Sequence, residues 1–120
     1  MRVKKEYDGD AVVLSLPRHL VGGDEIDEIQ REILLELANG RKKFVLNLAR
    51  TQSMSTRAVS MFIDLRKKLD AGGAAWAFCN VDKKIYEPLV VMRFVRDFNV
   101  CNTREGALSL LNLDGRMTKG

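Results

Sequence analysis

The chain has 120 residues, of which 46% are hydrophobic and 30% charged, enough for one compact core and too few for two ordinary domains. It has no apolar run near the ~20 residues of a membrane helix and no apolar N-terminal signal, so a cytoplasmic protein without membrane insertion is expected. The net charge of +4 is unevenly distributed: residues 1–40 contain 5 basic and 9 acidic side chains, whereas residues 41–120 contain 15 basic and 7 acidic ones. The basic residues lack interleaved aromatics, which argues against a nucleic-acid groove.

The first third of the chain predicts a hairpin followed by a helix. Weak alternation over residues 2–7, the turn 8–10 and the β-branched run 11–16 are typical of two paired strands. Residues 18–23 are predicted to form a loop. Asp24 is then placed to cap a helix whose apolar residues recur at helical spacing up to Gly40, which occupies the position expected just after a helix end.

Alternating strand and helix patterns fill the rest of the chain. Strands are predicted at 44–48, 74–79 and 98–101, and helices at about 58–71, from Lys83 through Pro88, and after a cap at Asn102 or Thr103. The order ββαβαβαβα predicts an α/β fold, a mixed sheet with packed helices. We expect one domain over residues 1–113 and a loose tail over 114–120.

Residues that could carry metal or redox chemistry are few. His19 is the only histidine and lies in a predicted loop, so multi-histidine zinc sites are excluded, and a surface imidazole is expected. Cys79 and Cys101 are 22 residues apart within apolar stretches, which predicts two reduced, buried thiols rather than a metal site or disulfide framework. No paired acid and base, phosphate-binding glycine motif or activated nucleophile is evident, so neither an enzyme nor a cofactor site is predicted.

The most informative segment is the hydroxyl-rich stretch 51–56 between a predicted strand and helix. Ser53, Ser55 and Thr56 lie where backbone N–H groups and the helix dipole favour negative charge, so a phosphate on one of them would be tolerated. The alternative is that Ser55 or Thr56 is an ordinary helix cap. Met54, within the segment, and Met61, after it, offer adaptable apolar area to a protein partner, although methionine at helical spacing is usually core.

Over about residues 8–113 the chain resembles the STAS domains of bacterial anti-sigma factor antagonists. The resemblance is carried by Val45-Leu46-Asn47-Leu48, by Ser55-Thr56-Arg57-Ala58, by Gly72-Gly73 and by the closing segment 103–108. In that family a helix opens with Asp-Ser-Ser/Thr-Gly, and its first Ser or Thr is phosphorylated by a kinase that is itself the anti-sigma factor. Ser55 falls on the family Asp, Thr56 on the acceptor, Arg57 on the second hydroxyl residue and Ala58 on the Gly.

The resemblance implies a non-enzymatic STAS-like regulator that controls an anti-sigma factor/serine kinase by direct binding. Phosphorylation at Thr56, with Ser55 and Ser53 as neighbouring candidates, would switch this binding. A constitutive interaction module, such as a transporter accessory subunit or a signalling-scaffold component, is the alternative, and either role leaves a homo-oligomer open. The residues expected to contact the partner are Met54, Ser55, Thr56, Arg57, Ala58 and Met61.

Overall fold

In the computed structural model, which describes residues 3–82, 85 and 99–117, the chain opens with the predicted hairpin. Strand β1 (Lys4–Asp8) pairs antiparallel with β2 (Ala11–Ser15). Gly9 has φ 61° in the connecting turn, a left-handed conformation that glycine adopts without a steric penalty. This hairpin forms one edge of the sheet.

Three further strands extend the sheet from β2 by parallel pairing. They are β4 (Lys43–Asn47), β6 (Ala75–Cys79) and β7 (Asn99–Cys101), and the strand order is β1-β2-β4-β6-β7. Val13, Val45 and Ala77 lie side by side in register. One antiparallel pair beside three parallel pairs makes a mixed sheet, which confirms the predicted fold class.

Helices cover both faces of this sheet. Helices α1 (Gly23–Ala38) and α2 (Thr56–Ala71) pack on one face, and α3 (Arg104–Met117) packs on the other. On the first face Phe62 of α2 meets the rings of Trp76 and Phe78 edge-on, at centroid distances of 5.9 and 5.3 Å. On the second, Ala107 and Leu111 of α3 lie against the valines and alanine in register, so each central strand is buried on both sides.

The helix ends agree with the predicted glycine signals but not with the predicted first cap. Gly40 and Gly73 follow α1 and α2 with φ 94° and 70°, as expected after a helix end. The N-cap of α1 is Gly22, whereas Asp24 lies within the first turn, so its predicted capping role is wrong. The carboxylate of Glu25 folds back against Gly22, into space that any larger side chain would need.

Two predicted helices lie in the C-terminal part of the chain. The helix predicted from Lys83 through Pro88 lies outside the described residues, apart from Ile85, which is helical and buried. Thr103 caps α3 by accepting a hydrogen bond from the backbone N–H of Gly106 at 3.0 Å, and the helix continues to Met117. The helix therefore extends into the segment 114–120 that is predicted as a tail.

Two short strands fall where loops were predicted. Strand β3 (His19–Leu20) pairs in parallel with β5 (Ser53–Met54) to form a separate two-stranded sheet. Two residues are too few to show the alternation that identifies a strand in a sequence, so the prediction of plain loops is wrong here. This small sheet joins the entrance of α1 to the entrance of α2.

No helix among residues 3–82, 85 and 99–117 has the length and apolar character needed to span a bilayer.

Candidate functional site

The segment that leads into α2 is fixed by its backbone. The N–H of Gln52 donates to the carbonyl of Arg18 at 2.7 Å, and the N–H of Ser55 donates to that of Leu20 at 2.9 Å. The buried hydroxyl of Thr51 donates to the carbonyl of Pro17 at 2.8 Å. Because these bonds tie residues 51–55 to residues 17–20, the segment is held in place without using its exposed side chains.

The three candidate phosphoacceptors differ in what their hydroxyls do. Ser53 Oγ lies 2.7 Å from His19 Nδ1, and Ser55 Oγ accepts a hydrogen bond from the N–H of Ala58 at 3.2 Å. Ser55 is therefore the N-cap of α2, one of the two capping residues that the sequence offered. Thr56 is exposed, and its hydroxyl has no hydrogen-bond partner within the part of the chain that the structure describes.

The electrostatic surroundings of Thr56 favour a negative charge. Thr56 is the first residue of α2, whose first turn contains no acidic side chain, whereas the first turn of α1 contains Asp24 and Glu25. The guanidinium of Arg57 lies over Gly23, with Nη1 3.4 Å from the position that a Cβ of that glycine would take. The Thr56 hydroxyl therefore lies at a helix N-terminus whose first turn carries no carboxylate, and the next residue in the chain is a cation.

Burial divides the six predicted partner-binding residues into two groups. Thr56 and Arg57 are exposed, and Met54 and Ser55 are half-buried. Ala58 and Met61 are 0% and 6% exposed and belong to the core under α2. These last two face the sheet, because residues two and five positions after Thr56 lie on a different side of the helix.

One exposed apolar residue at the site was missed by the sequence analysis. Val21 is 55% exposed and directly follows Leu20, whose carbonyl accepts the Ser55 N–H. The contact between His19 and Ser53 was missed as well, since 34 residues separate them. A valine in a predicted loop gave no signal that distinguishes it from an ordinary surface residue.

Among residues 3–82, 85 and 99–117, no three His, Cys, Asp or Glu side chains are grouped so that they could hold a metal ion. A shallow cleft of about 180 Å³ lies at the carboxyl ends of β2 and β4, on the way into the 51–55 segment. It is lined by Lys4, Ser15, Leu16, Asn47, Ala49 and Arg50.

Comparison of the sequence with family models gave a match to the model described as STAS domain over residues 2–107. A search of curated proteins gave no match. The family match covers the whole sheet, α1, α2 and the beginning of α3, and it agrees with the resemblance found in the sequence.

Solved structures share the fold at low sequence identity. A candidate anti-sigma factor antagonist from Thermotoga maritima has a TM-score of 0.82 and 17% identity, over 92% of this chain and 94% of that one. A Ser-to-Glu variant of RsbS from Moorella thermoacetica has a TM-score of 0.81 and 14% identity, over 98% of this chain and 100% of that one. The phosphorylated form of SpoIIAA, a Bacillus cell fate determinant, has a TM-score of 0.71 and 16% identity, over 89% of this chain and 96% of that one.

Proposed function

Because the chain belongs to the STAS domain family, we propose that it is a regulatory protein that acts by binding another protein and that phosphorylation of Thr56 ends this binding. The contact area is the switch surface, which we define as Val21, Met54, Ser55, Thr56 and Arg57. The partner is an anti-sigma factor with serine kinase activity. The protein itself catalyses no reaction in this scheme.

The observation that carries the proposal is the unoccupied hydroxyl of Thr56. Ser53 and Ser55 use their hydroxyls within the fold, toward His19 and the backbone of α2. A kinase that phosphorylated either would first have to break that contact. Thr56 is exposed and has no such contact among the described residues, so its hydroxyl can enter a kinase active site without local unfolding.

The position of Thr56 also explains how one phosphoryl group could change binding without disturbing the fold. A phosphate adds roughly −1.5 to −2 charges and would lie at the N-terminus of α2, next to Arg57, where negative charge is stabilised. The same group would neutralise the cation of the switch surface and repel acidic side chains of a bound partner. The folded domain therefore persists while the complex dissociates.

The departures from the family motif leave this geometry intact. Ser55, at the position of the family Asp, caps α2 through its hydroxyl, as an Asp carboxylate would. Ala58, at the position of the family Gly, is helical and fully buried, so the extra conformational freedom of glycine is not required there. Arg57 changes the charge of the surface, which alters partner selection rather than the acceptor itself.

Similar folds support the phosphorylation step by analogy. SpoIIAA has been solved in a phosphorylated form, so the fold accommodates a phosphoryl group in that protein. The neighbour from Thermotoga maritima is described as a candidate anti-sigma factor antagonist.

The test is quantitative recovery of partners from the native cells with variants at one position. Tagged wild type, Thr56→Val, Thr56→Asn and Thr56→Asp are compared; Val removes the hydroxyl, and Asn is the uncharged match for Asp. We expect an ATP-binding kinase to be recovered with wild type, Val and Asn, and at least tenfold less with Asp. Equal recovery with Asp and Asn would overturn the phosphoswitch and indicate a constitutive interaction module.

A further inference from the structure

The fold brings the two cysteines together at the far end of the sheet from the hairpin. Cys79 ends β6 and Cys101 ends β7, and the two residues are direct partners in the parallel pairing of these strands. Both belong to the layer beneath α3, so their side chains lie on the same face. Neighbouring strands are about 4.8 Å apart, within the range of about 4.4–6.8 Å between Cα atoms that a disulfide accepts, and closing the bond draws the two Cβ atoms together to about 3.8 Å.

We infer that Cys79 and Cys101 form a dithiol site, which a low-molecular-weight disulfide such as oxidised glutathione converts reversibly to an intramolecular disulfide. This inference is independent of the proposed function, because neither residue belongs to the switch surface. It goes beyond the sequence prediction of two reduced, buried thiols.

Accessibility sets the order of the two exchange steps. Cys101 is half-buried, whereas Cys79 is 0% exposed. The Cys101 thiolate therefore attacks one sulfur of oxidised glutathione, forming a mixed disulfide and releasing one glutathione thiolate. The Cys79 thiolate then attacks Cys101 Sγ and releases the second. Two protein thiols are oxidised, one glutathione disulfide is reduced to two thiols, and the two thiol protons pass to the leaving thiolates or to water.

The surroundings of the pair make the second step the slower one. Burial and the proximity of Cys101 raise the pKa of the Cys79 thiol to about 11, against the favourable charge of Arg104 and the weak hydrogen bond from Asn80 Nδ2 at 3.5 Å. Glu105 also disfavours the Cys79 thiolate. Few Cys79 side chains are therefore ionised near neutral pH, and closure of the disulfide accelerates as the pH rises.

The start of α3 stands beside Cys101. A Cβ placed on Gly106 would lie 3.8 Å from the Cys101 Cβ, so this cysteine contacts the first turn of the helix. The backbone N–H groups of that turn favour negative charge, including that of an attacking thiolate.

The experiment exposes the folded, full-length protein to oxidised glutathione and follows its intact mass without reductant. We expect wild type to lose two hydrogens, to yield a linked pair of tryptic peptides spanning 69–83 and 97–104, and to recover both thiols with dithiothreitol. Cys79→Ser should instead retain one glutathionyl group on Cys101, because no second thiol displaces it. Cys101→Ser should react at least tenfold more slowly, because Cys79 is buried.

Each alternative result would overturn the inference. These results are a glutathionyl adduct of wild type as stable as that of Cys79→Ser, a disulfide-linked dimer, or no reaction at all. Repeating the oxidation in urea shows whether the folded structure or random collision of the two thiols produces the disulfide. The inference requires that the internal disulfide form faster in the folded chain than in the unfolded one. Formation only after unfolding would show that the native register does not bring the sulfurs together.

Discussion

Two polar regions of this molecule use their side chains in opposite ways. Between β1 and α1, the carboxylate of Glu36 is 3% exposed and receives hydrogen bonds from Lys5 Nζ at 2.7 Å and Tyr7 Oη at 2.6 Å. At the entrance of α2, backbone hydrogen bonds hold the chain, and the hydroxyl of Thr56 remains available. The first arrangement holds the edge strand β1 in place. The second leaves the Thr56 hydroxyl exposed on a backbone that is itself held by hydrogen bonds.

The charges of the first region are balanced within the fold. Lys5 Nζ also contacts Glu32 Oε1 at 2.8 Å, and the guanidinium of Arg41 lies 4.7 Å from the centre of the Tyr7 ring. Burial alone would raise the pKa of Glu36, but the hydrogen bonds from Lys5 and Tyr7 and the nearby cations hold it below its usual range. At the switch surface, by contrast, Arg57 has no carboxylate partner among the described residues.

Glu36→Gln is the substitution with the largest expected effect on stability. It removes the charge that Lys5 and Tyr7 surround, and we expect a loss of about 2 kcal/mol in the free energy of unfolding by urea. Glu32→Gln is the matched control, since Glu32 contacts the same lysine without being its buried partner. A loss below about 0.5 kcal/mol for Glu36→Gln would contradict the view that this cluster fastens β1.

The same cluster predicts a particular sensitivity to acid. Because the pKa of Glu36 is lower in the folded chain than in the unfolded one, its contribution is complete above about pH 4.3 and is lost as the pH falls toward the folded value. Urea unfolding of wild type between pH 6 and 3 should show a steeper decline than that of Glu36→Gln. Parallel declines would indicate that other carboxyl groups account for the acid sensitivity.

Ser55→Ala should have an intermediate effect. The substitution removes the oxygen that accepts the Ala58 N–H at the start of α2, and a loss of about 1 kcal/mol is expected. Ser60→Ala, at an exposed position within the same helix, serves as the control and should be neutral or slightly stabilising. If both variants unfolded at the same urea concentration, Ser55 would not be an effective cap.

The smallest effects on stability are expected at Thr56. Thr56→Val should change the free energy of unfolding by less than about 0.5 kcal/mol, because the hydroxyl has no partner among the described residues. Thr56→Asp should stabilise by about 0.5 kcal/mol at low salt, and this gain should fade as salt is added. A destabilisation of more than about 1 kcal/mol by either variant would show that Thr56 is part of the fold's internal bonding.

The sequence was a good guide to features that are local in the chain. The apolar run at 44–48 predicted the central strand β4, and Gly40 marked the end of α1. The hydroxyl cluster before α2 correctly placed a capping residue, Ser55. These signals depend on residues within a few positions of each other, where spacing reports directly on conformation.

Features that depend on distant pairing were not predictable in this way. The contact of His19 with Ser53 and the alignment of Cys79 with Cys101 exist only after the strands have paired. Met61 is a similar case. It was predicted to share a surface with Thr56 because the two are close in sequence, but the turn of the helix buries it. Even the division of roles among three neighbouring hydroxyls required the folded backbone.

The most direct test of the central claim is to locate phosphate on the protein isolated from its native cells under phosphatase inhibition. A tryptic peptide from Thr51 to Arg57 contains all three candidate hydroxyls, and fragmentation distinguishes them. The account predicts that the phosphoryl group is found on Thr56. Phosphate on Ser53 or Ser55, or an unmodified peptide across growth and stress conditions, would contradict it.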